Sequence, residues 1–402
     1  MPSTMALALG TLALLGACRG APRTELDSAQ LTALVDSLIP AVETAVGLPF
    51  TSPPVSALTT GEAVQAYLLD RIQRDFPPER MEGITTAYRL FGLIPDSLDL
   101  QALLLAVYQE QVAGYYDPET RVLYAVVGAE PVQLRLILAH ELVHALQHQY
   151  LPLDSLMTLR GNADVVAATQ AVLEGHATLA SIRVLAPSPA TLDSEAYWDN
   201  YRDAVRHGQS SMPVFGKAPL VLREGLLFPY LSGADFVRWW VAERGRVLPS
   251  AAELPRSTEQ ILHPERYAAG DHPLTVSFAD SEADVMYEDT LGELEVQILL
   301  AEVRGASDVG FDAPIGWGGD RYRVYRTAEG PALVWYSVWD GSAQAARALG
   351  RLSAAEVRLG REDYSLRVEA VVLEGYSAVR FTLAPAGWDG LADPPRATVD
   401  RP

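Results

Sequence analysis

The chain has 402 residues, of which 49% are apolar and 20% are charged, a composition typical of a globular protein with a sizeable core. Its net charge is −20, and because phosphate contacts need a basic surface, this charge argues against a nucleic-acid partner. The single cysteine, Cys18, excludes an intramolecular disulfide. The composition gives no indication of an oligomeric state.

The first 17 residues carry no charge and are apolar from Met5 to Ala17, directly before Cys18. Such a stretch is typical of a signal peptide. The string Leu-Gly-Ala-Cys resembles a bacterial lipobox, which implies cleavage before Cys18 and lipidation of its thiol. Because no Lys or Arg precedes the apolar stretch, an uncleaved anchor and a plain secretory signal stand as alternatives.

We therefore predict a lipoprotein signal peptide over residues 1–17, a tether over residues 18–27, and an exported protein that is lipid-anchored in the cell envelope. Arg19 rather than Asp follows the cysteine. By resemblance to lipoprotein sorting rules, this implies the outer membrane or its periplasmic face in a cell with two membranes. No later segment has the roughly 18 uncharged apolar residues that a membrane-spanning helix needs.

Apolar residues recur at helical spacing before residue 112, which predicts a series of helices, the last of them capped by Asp96 or Ser97. The pattern then changes. Gly114–Val126 has aromatic and β-branched residues on both sides of a turn at Asp117–Thr120, so we predict a β-hairpin.

Pro131 fits the first turn of a long helix, and a second helix is expected from about Asn162 to Leu185. Further helices are expected near residues 192–207, 233–244 and 257–267. Beyond about residue 271, Gly-rich and aromatic segments alternate. This texture predicts strands, and with them a smaller C-terminal α+β region over residues 285–390.

One segment, AHELVHALQHQY from Ala139 to Tyr150, has a spacing that indicates metal chemistry. His140 and His144 are four residues apart, so on a helix both imidazoles lie on one face and can bind the same ion. Glu141 lies beside that face, within reach of a metal-bound water, which is the HExxH arrangement of zinc hydrolases. The rest of the helix is apolar, and these polar groups are costly to bury unless they are paired or bind a metal. The alternative is a pair of hydrogen-bonded core histidines.

Catalytic zinc usually has three protein ligands and a water, and the sequence narrows the choice of the third ligand. Gln147 and Tyr150 occupy the region where the extended motif has a third histidine, and Cys18 is far away. Glu174 is a lone acid in an apolar helix without a nearby Lys or Arg, so a metal is a better partner than a base. We therefore predict one zinc ion per chain, bound by His140, His144 and Glu174.

Three nearby polar residues are expected to have other roles. His148 lies about 12 Å along the helix from His140, too far for both to bind one ion, so it is expected near the site or in solvent. His176 faces the other side of its helix from Glu174 and is not expected to be a ligand. Asp164, at the start of that helix, is expected to cap it or to orient a ligand histidine.

In such a site zinc polarises the scissile carbonyl and lowers the pKa of its water, while Glu141 takes the proton and delivers it to the leaving amine. The oxyanion needs a further donor. The candidates are Tyr201, His207, Tyr230 and His263, among which Tyr230 and His263 are taken as candidate catalytic residues. The hairpin is expected to offer an edge strand to an extended peptide substrate.

Five strings, AGYYDPETRVLYAV, LAHELVHALQHQ, AVLEGHAT, FPYLSGADFV and STEQILHPERY, together with the later GWGGDRY, carry a family resemblance. They resemble a family of poorly characterised bacterial and archaeal zinc metallopeptidases of the gluzincin type. The resemblance spans roughly residues 113–267. It implies the HExxH histidines and the glutamate of the EGxAT string as zinc ligands, and His176 departs from the small or acidic residue expected there.

We predict an α+β fold, with a mainly helical zincin-like catalytic domain over residues 28–275 that includes a small β-hairpin or sheet, and the smaller C-terminal α+β region beyond it. The function we predict is hydrolysis of peptide or protein substrates in the cell envelope by a zinc-dependent metallopeptidase. One alternative is a zinc hydrolase of a non-peptide amide or ester. The other is a non-catalytic envelope binding lipoprotein with a vestigial metal site, against which the intact Glu141 argues.

Overall fold

The computed structural model describes residues 26–128, 131–157, 161–186, 188–245, 248–279, 284–310, 315–355, 359 and 363–400. The expected signal peptide, the lipidation site Cys18 and most of the expected tether lie outside these residues. No helix in the described part of the chain is long and apolar enough to cross a membrane. The fold is α+β, as predicted.

Residues 26–128 form four helices and three short strands. In chain order they are α1 (Ser28–Val46), β1 (Val55–Thr59), α2 (Gly61–Asp75), α3 (Pro78–Phe91), α4 (Leu100–Gln111), β2 (Gly114–Asp117) and β3 (Val122–Val126). Strands β2 and β3 pair antiparallel, which confirms the predicted hairpin, and β1 pairs parallel with β3. Strand β2 is therefore at an edge of this sheet.

The predicted cap of α4 was wrong. The Asp99 side chain accepts a hydrogen bond from the Ala102 N–H and caps the helix, whereas Asp96 and Ser97 precede it. The Leu98 N–H donates to the Pro95 carbonyl, so the residues between them form a turn and the helix starts later.

The middle of the chain is helical. Its helices are α5 (Pro131–Tyr150), α6 (Leu153–Leu156), α7 (Ala163–Leu185), α8 (Pro189–Leu192), α9 (Glu195–Ser210), α10 (Leu220–Arg244), α11 (Thr258–Leu262) and α12 (Pro264–Ala268). The predicted long helices from Pro131 and to Leu185 are confirmed as α5 and α7. The helix expected near residues 257–267 is divided in two at His263, because Pro264 has no N–H and starts a new helix.

The described residues of the C-terminal part form seven strands and two α-helices. Its elements are β4 (Thr275–Phe278), β5 (Val285–Asp289), α13 (Gly292–Val303), β6 (Trp317–Thr327), β7 (Gly330–Trp339), α14 (Ser342–Ser353), β8 (Tyr364–Leu373), β9 (Tyr376–Pro385) and β10 (Ala397–Asp400). Five strands form an antiparallel sheet in the order β5-β6-β7-β9-β8, and β4 pairs with β10.

Helix α7 lies at the centre of the helical part, packed against α1, α5 and α10, because it is apolar on all sides. The helical part and the C-terminal sheet share a core. Phe91 of α3, for example, makes edge-to-face contacts with Tyr322 of β6 and Trp335 of β7. The division of the chain into regions 28–275 and 285–390 stays a prediction.

Candidate metal centre

Two buried helices bring His140, His144 and Glu174 together. The two histidines lie one turn apart on α5, and Glu174 lies on α7, which packs against α5. The Nε2 atom of His140 is 3.1 Å from Oε2 of Glu174 and 3.1 Å from Nε2 of His144. The Nε2 atom of His144 is 3.3 Å from the same Glu174 oxygen. These three atoms form a nearly equilateral triangle, and the group has the composition and spacing to hold a metal ion.

The histidines and the glutamate of the triangle shift one another's pKa values. Burial alone lowers the pKa of His144, but the charge of Glu174 and a hydrogen bond to its carboxylate outweigh burial and raise that pKa to about 9. Burial likewise favours the neutral form of Glu174, yet the two histidines hold the pKa of this carboxyl well below its usual range. Without a metal ion the group is therefore an ion pair, and a bound cation would replace the proton on His144.

Glu141 is anchored by the main chain of the β-hairpin. Its Oε2 atom accepts a hydrogen bond of 2.8 Å from the Tyr116 N–H in β2, and the side chain is buried. The bond orients the carboxylate next to the two histidines of the same helix. This contact could not be predicted from the sequence, because a main-chain donor carries no side-chain signature.

The Tyr116 amide is available to Glu141 because of the strand register. Facing pairs alternate along an antiparallel ladder between those that exchange hydrogen bonds and those that do not. The Val126 N–H donates to the Ala113 carbonyl, so the polar groups of Ala113, Tyr115 and Asp117 face β3. Those of Gly114 and Tyr116 consequently point away from β3, on the side of Glu141.

Tyr230 of α10 is the oxyanion candidate that lies at the triangle. Its ring stacks on that of His140, with 6.1 Å between the ring centroids. Burial, the charges of Glu174 and Glu141, and a hydrogen bond to Glu174 raise the pKa of Tyr230 well above its usual range. Its hydroxyl group is therefore close to both carboxylates.

The other three oxyanion candidates lie elsewhere. The Tyr201 hydroxyl donates to the main-chain carbonyl of Tyr230 at 3.3 Å, so it binds the main chain of α10. His207 is exposed on α9. The Nε2 atom of His263 is 3.1 Å from Oε1 of Glu293 on α13, so this histidine belongs to a different buried cluster.

Asp164 has neither of the roles expected of it among the described contacts. Asn162 caps α7 by accepting from the Val165 N–H. The Oδ1 atom of Asp164 instead accepts from the N–H and the hydroxyl of Thr258, at the start of α11. A carboxylate at a helix N-terminus is electrostatically favourable, which explains why this acid is buried away from the two histidines.

Three further polar residues lie on the helices that carry the triangle, His148 and Gln147 on α5 and His176 on α7. His148 accepts from or donates to the Tyr116 hydroxyl through Nδ1 at 3.0 Å, and His176 is buried beside Gln147; neither is in the ligand group. Gln147 was not predicted as part of the site. Its Oε1 atom lies 2.8 Å from Nδ1 of His144. Its position three residues after His144, on the same helix face, is the signal that could have identified it.

Comparisons with known proteins bear on the C-terminal part of the chain. A family model described as a domain of unknown function (DUF8575) matches residues 282–382, a segment that covers most of the five-stranded sheet and lies outside α5 and α7. No curated protein and no solved structure matches the chain. The comparisons therefore assign no function.

Proposed function

We propose that the chain is a zinc-dependent metallopeptidase of the gluzincin type, with a zincin-like core, a single zinc ion held by His140, His144 and Glu174, and Glu141 as general base. The observation that carries the proposal is the triangle of two imidazole nitrogens and one carboxylate oxygen, with the Glu141 carboxylate anchored beside it. Two histidines and one glutamate form a ligand set that catalytic zinc sites use.

The spacing of the three atoms fits the proposed ion. Zinc bonds to nitrogen and carboxylate oxygen are about 2.0–2.1 Å long, so two ligand atoms on a tetrahedral ion lie roughly 3.3–3.4 Å apart. The separations of 3.1, 3.1 and 3.3 Å require little adjustment to reach this geometry. A shared cation would also neutralise the buried carboxylate and compensate the close approach of the two imidazole nitrogens.

The proposed reaction uses the surrounding residues as follows. When bound, zinc would polarise the scissile carbonyl of the peptide and lower the pKa of the attacking water. Glu141, oriented by the Tyr116 N–H, accepts the proton of the attacking water and delivers it to the leaving amine. The Tyr230 hydroxyl donates to the oxyanion. The main-chain groups of Gly114 and the Tyr116 carbonyl, on the side of β2 that faces away from β3, would pair with an extended peptide.

Export and a lipid anchor at Cys18 are part of the same proposal. They rest on the apolar stretch and the Leu-Gly-Ala-Cys string at the start of the sequence. A protein with these features would meet its peptide substrates in the cell envelope.

The proposal is tested by zinc analysis and a mixed peptide library incubated with and without a chelator. The parent is expected to contain one zinc per chain and to cleave peptides only without chelator. His140→Ala should lose both properties, whereas His207→Ala, an exposed histidine on α9, should keep them. A parent without zinc, or zinc retained equally by His140→Ala, would contradict the ligand assignment.

The burial of the site favours a second candidate, a metal-binding envelope protein without catalysis. His140, Glu141, His144 and Glu174 are each at most 6% exposed, and enclosed coordination is typical of structural metal sites. This candidate predicts stoichiometric zinc in the parent but no chelator-sensitive peptide cleavage. The same two measurements therefore distinguish it from the peptidase.

A further inference from the structure

Gln147 bridges the two helices that carry the proposed zinc ligands. Its side chain is fully buried and makes three contacts. The Oε1 atom is 2.8 Å from Nδ1 of His144, and the Nε2 atom is 2.8 Å from the Leu173 carbonyl oxygen and 2.9 Å from Nδ1 of His176. The first contact lies on α5 and the other two lie on α7, on either side of Glu174.

The Leu173 carbonyl fixes the direction of this amide. A carbonyl oxygen only accepts hydrogen bonds, so the end of the Gln147 amide that faces Leu173 must be the NH2 group. The Oε1 atom consequently faces His144. Because an amide oxygen also only accepts, Nδ1 of His144 must carry a proton and donate it.

This assignment determines which nitrogen of His144 can bind a metal. With the proton on Nδ1, the neutral ring has its lone pair on Nε2, the atom that faces Glu174 and His140. Among the described residues, by contrast, the Nδ1 atom of His140 has no hydrogen-bond partner. Of the two proposed histidine ligands, only His144 therefore has its ring orientation fixed by a hydrogen bond at Nδ1 among the described residues.

The same amide also fixes α7. Its second N–H donates to Nδ1 of His176, which must accept and therefore carries its own proton on Nε2. Leu173 and His176 flank Glu174 in the sequence, so the two donated bonds hold the turn of α7 that bears this carboxylate.

We propose that Gln147 is a positioning residue for the metal centre: it accepts from His144 Nδ1 so that Nε2 faces the ion, and it donates to Leu173 and His176 so that Glu174 is held in register. The inference rests on the proposed function, because it assumes that the triangle binds zinc. Partners of this kind set ligand orientation, and their loss typically weakens metal binding about 10- to 100-fold.

The test compares zinc affinity, measured by competition with a chromogenic chelator, for the parent, Gln147→Ala, Gln147→Glu and Gln149→Ala. Gln149 is the matched control, because it lies on the same helix and its amide contacts Thr51 and Ser52. Gln147→Ala is expected to bind zinc about 10- to 100-fold more weakly, and Gln149→Ala as tightly as the parent. Gln147→Glu retains an acceptor for His144 but loses both bonds donated to α7, so it too should bind zinc more weakly than the parent while keeping the proton on Nδ1 of His144.

A second readout uses the zinc-loaded parent and does not depend on how a variant folds. In protein labelled with ¹⁵N-histidine, the His144 ring should carry its proton on Nδ1. A proton-free Nδ1, or equal zinc affinity in Gln147→Ala and the parent, would each overturn the inference. A parent that binds no zinc would instead overturn the proposed function, so the two failures are distinguishable.

Discussion

Gly175 and Gly233 face each other where helices α7 and α10 cross. A β-carbon added to Gly175 would lie 2.2 Å from the carbonyl carbon and oxygen of Gly233, and one added to Gly233 would lie 2.1 Å from the Ala171 carbonyl oxygen. Neither distance is sterically allowed, so this crossing requires glycine at both positions. Glu174 adjoins one glycine and Tyr230 lies one turn from the other, so the close approach sets how near these two side chains are.

Gly233→Ala is therefore expected to destabilise the protein by about 1–3 kcal/mol, the usual effect of overpacking. It should also weaken zinc binding, because α7 must move away from α10 and carries Glu174 with it. Gly225→Ala is the matched control on the same helix, where an added β-carbon meets nothing within 4 Å. The control should be neutral or stabilising by up to about 1 kcal/mol. Urea unfolding measures the stability of the two variants. A Gly233→Ala variant as stable as Gly225→Ala would contradict the packing argument.

Tyr230→Phe should separate catalysis from metal binding. The variant keeps the ring that stacks on His140 but loses the hydroxyl near Glu174 and Glu141. If that hydroxyl donates to the oxyanion, kcat should fall about 10²- to 10³-fold while zinc content and KM change little. Steady-state kinetics on a cleaved peptide, with zinc content measured in parallel, gives the three quantities.

Tyr150→Phe is the control for this substitution. Tyr150 lies at the end of the same α5 that bears the histidines, but its hydroxyl donates to the Pro49 carbonyl at the surface. Its kcat should match that of the parent. A Tyr230→Phe variant with unchanged kcat would remove Tyr230 from the proposed reaction, although the ligand set would stand.

Glu259 of α11 is a buried acid whose pKa is raised in part by the charge of Glu293 on α13. Its carboxyl group is 2% exposed and 3.8 Å from the Arg266 guanidinium. Burial and the charge of Glu293 outweigh that attraction and raise the pKa of Glu259 to about 9. The folded chain therefore retains a proton here at neutral pH that the unfolded chain, with an ordinary pKa near 4.5, has released.

The sign of the pH dependence follows from this difference. The stabilising contribution of protonated Glu259 is complete below about pH 4.5 and is lost as the pH rises towards 9. Glu259→Gln keeps a neutral side chain at every pH, so its advantage over the parent should grow from pH 5 to pH 9 and reach a few degrees in Tm. Thermal unfolding in the presence of a chelator tests this; a constant or shrinking difference would contradict the raised pKa.

The parts of the fold that the sequence predicted are those with local signals. The hairpin was predicted from the turn at Asp117–Thr120 and the alternating residues around it. Helical periodicity predicted α5 and α7. The parallel pairing of β1 with β3 was not predicted, because it joins residues about 70 positions apart and depends on the tertiary fold.

The candidate site was predictable to the same extent. Glu174 could be found because a lone acid in an apolar helix needs a partner, and the structure brings it to the histidines. The main-chain bond from Tyr116 to Glu141 has no side-chain signature. The separation of His263 from Tyr230 likewise depends on its contact with Glu293, 30 residues further along the chain.

The most direct test of the central proposal is the rate of peptide hydrolysis by Glu141→Gln and by the parent at equal zinc content. Glutamine keeps the size of the side chain but cannot take a proton from the attacking water. Glu141→Gln should bind zinc as the parent does and lose at least about 10²-fold in kcat, the lower end of what general base catalysis contributes. Equal turnover by the two proteins would contradict the assignment of Glu141 and the peptidase mechanism built on it.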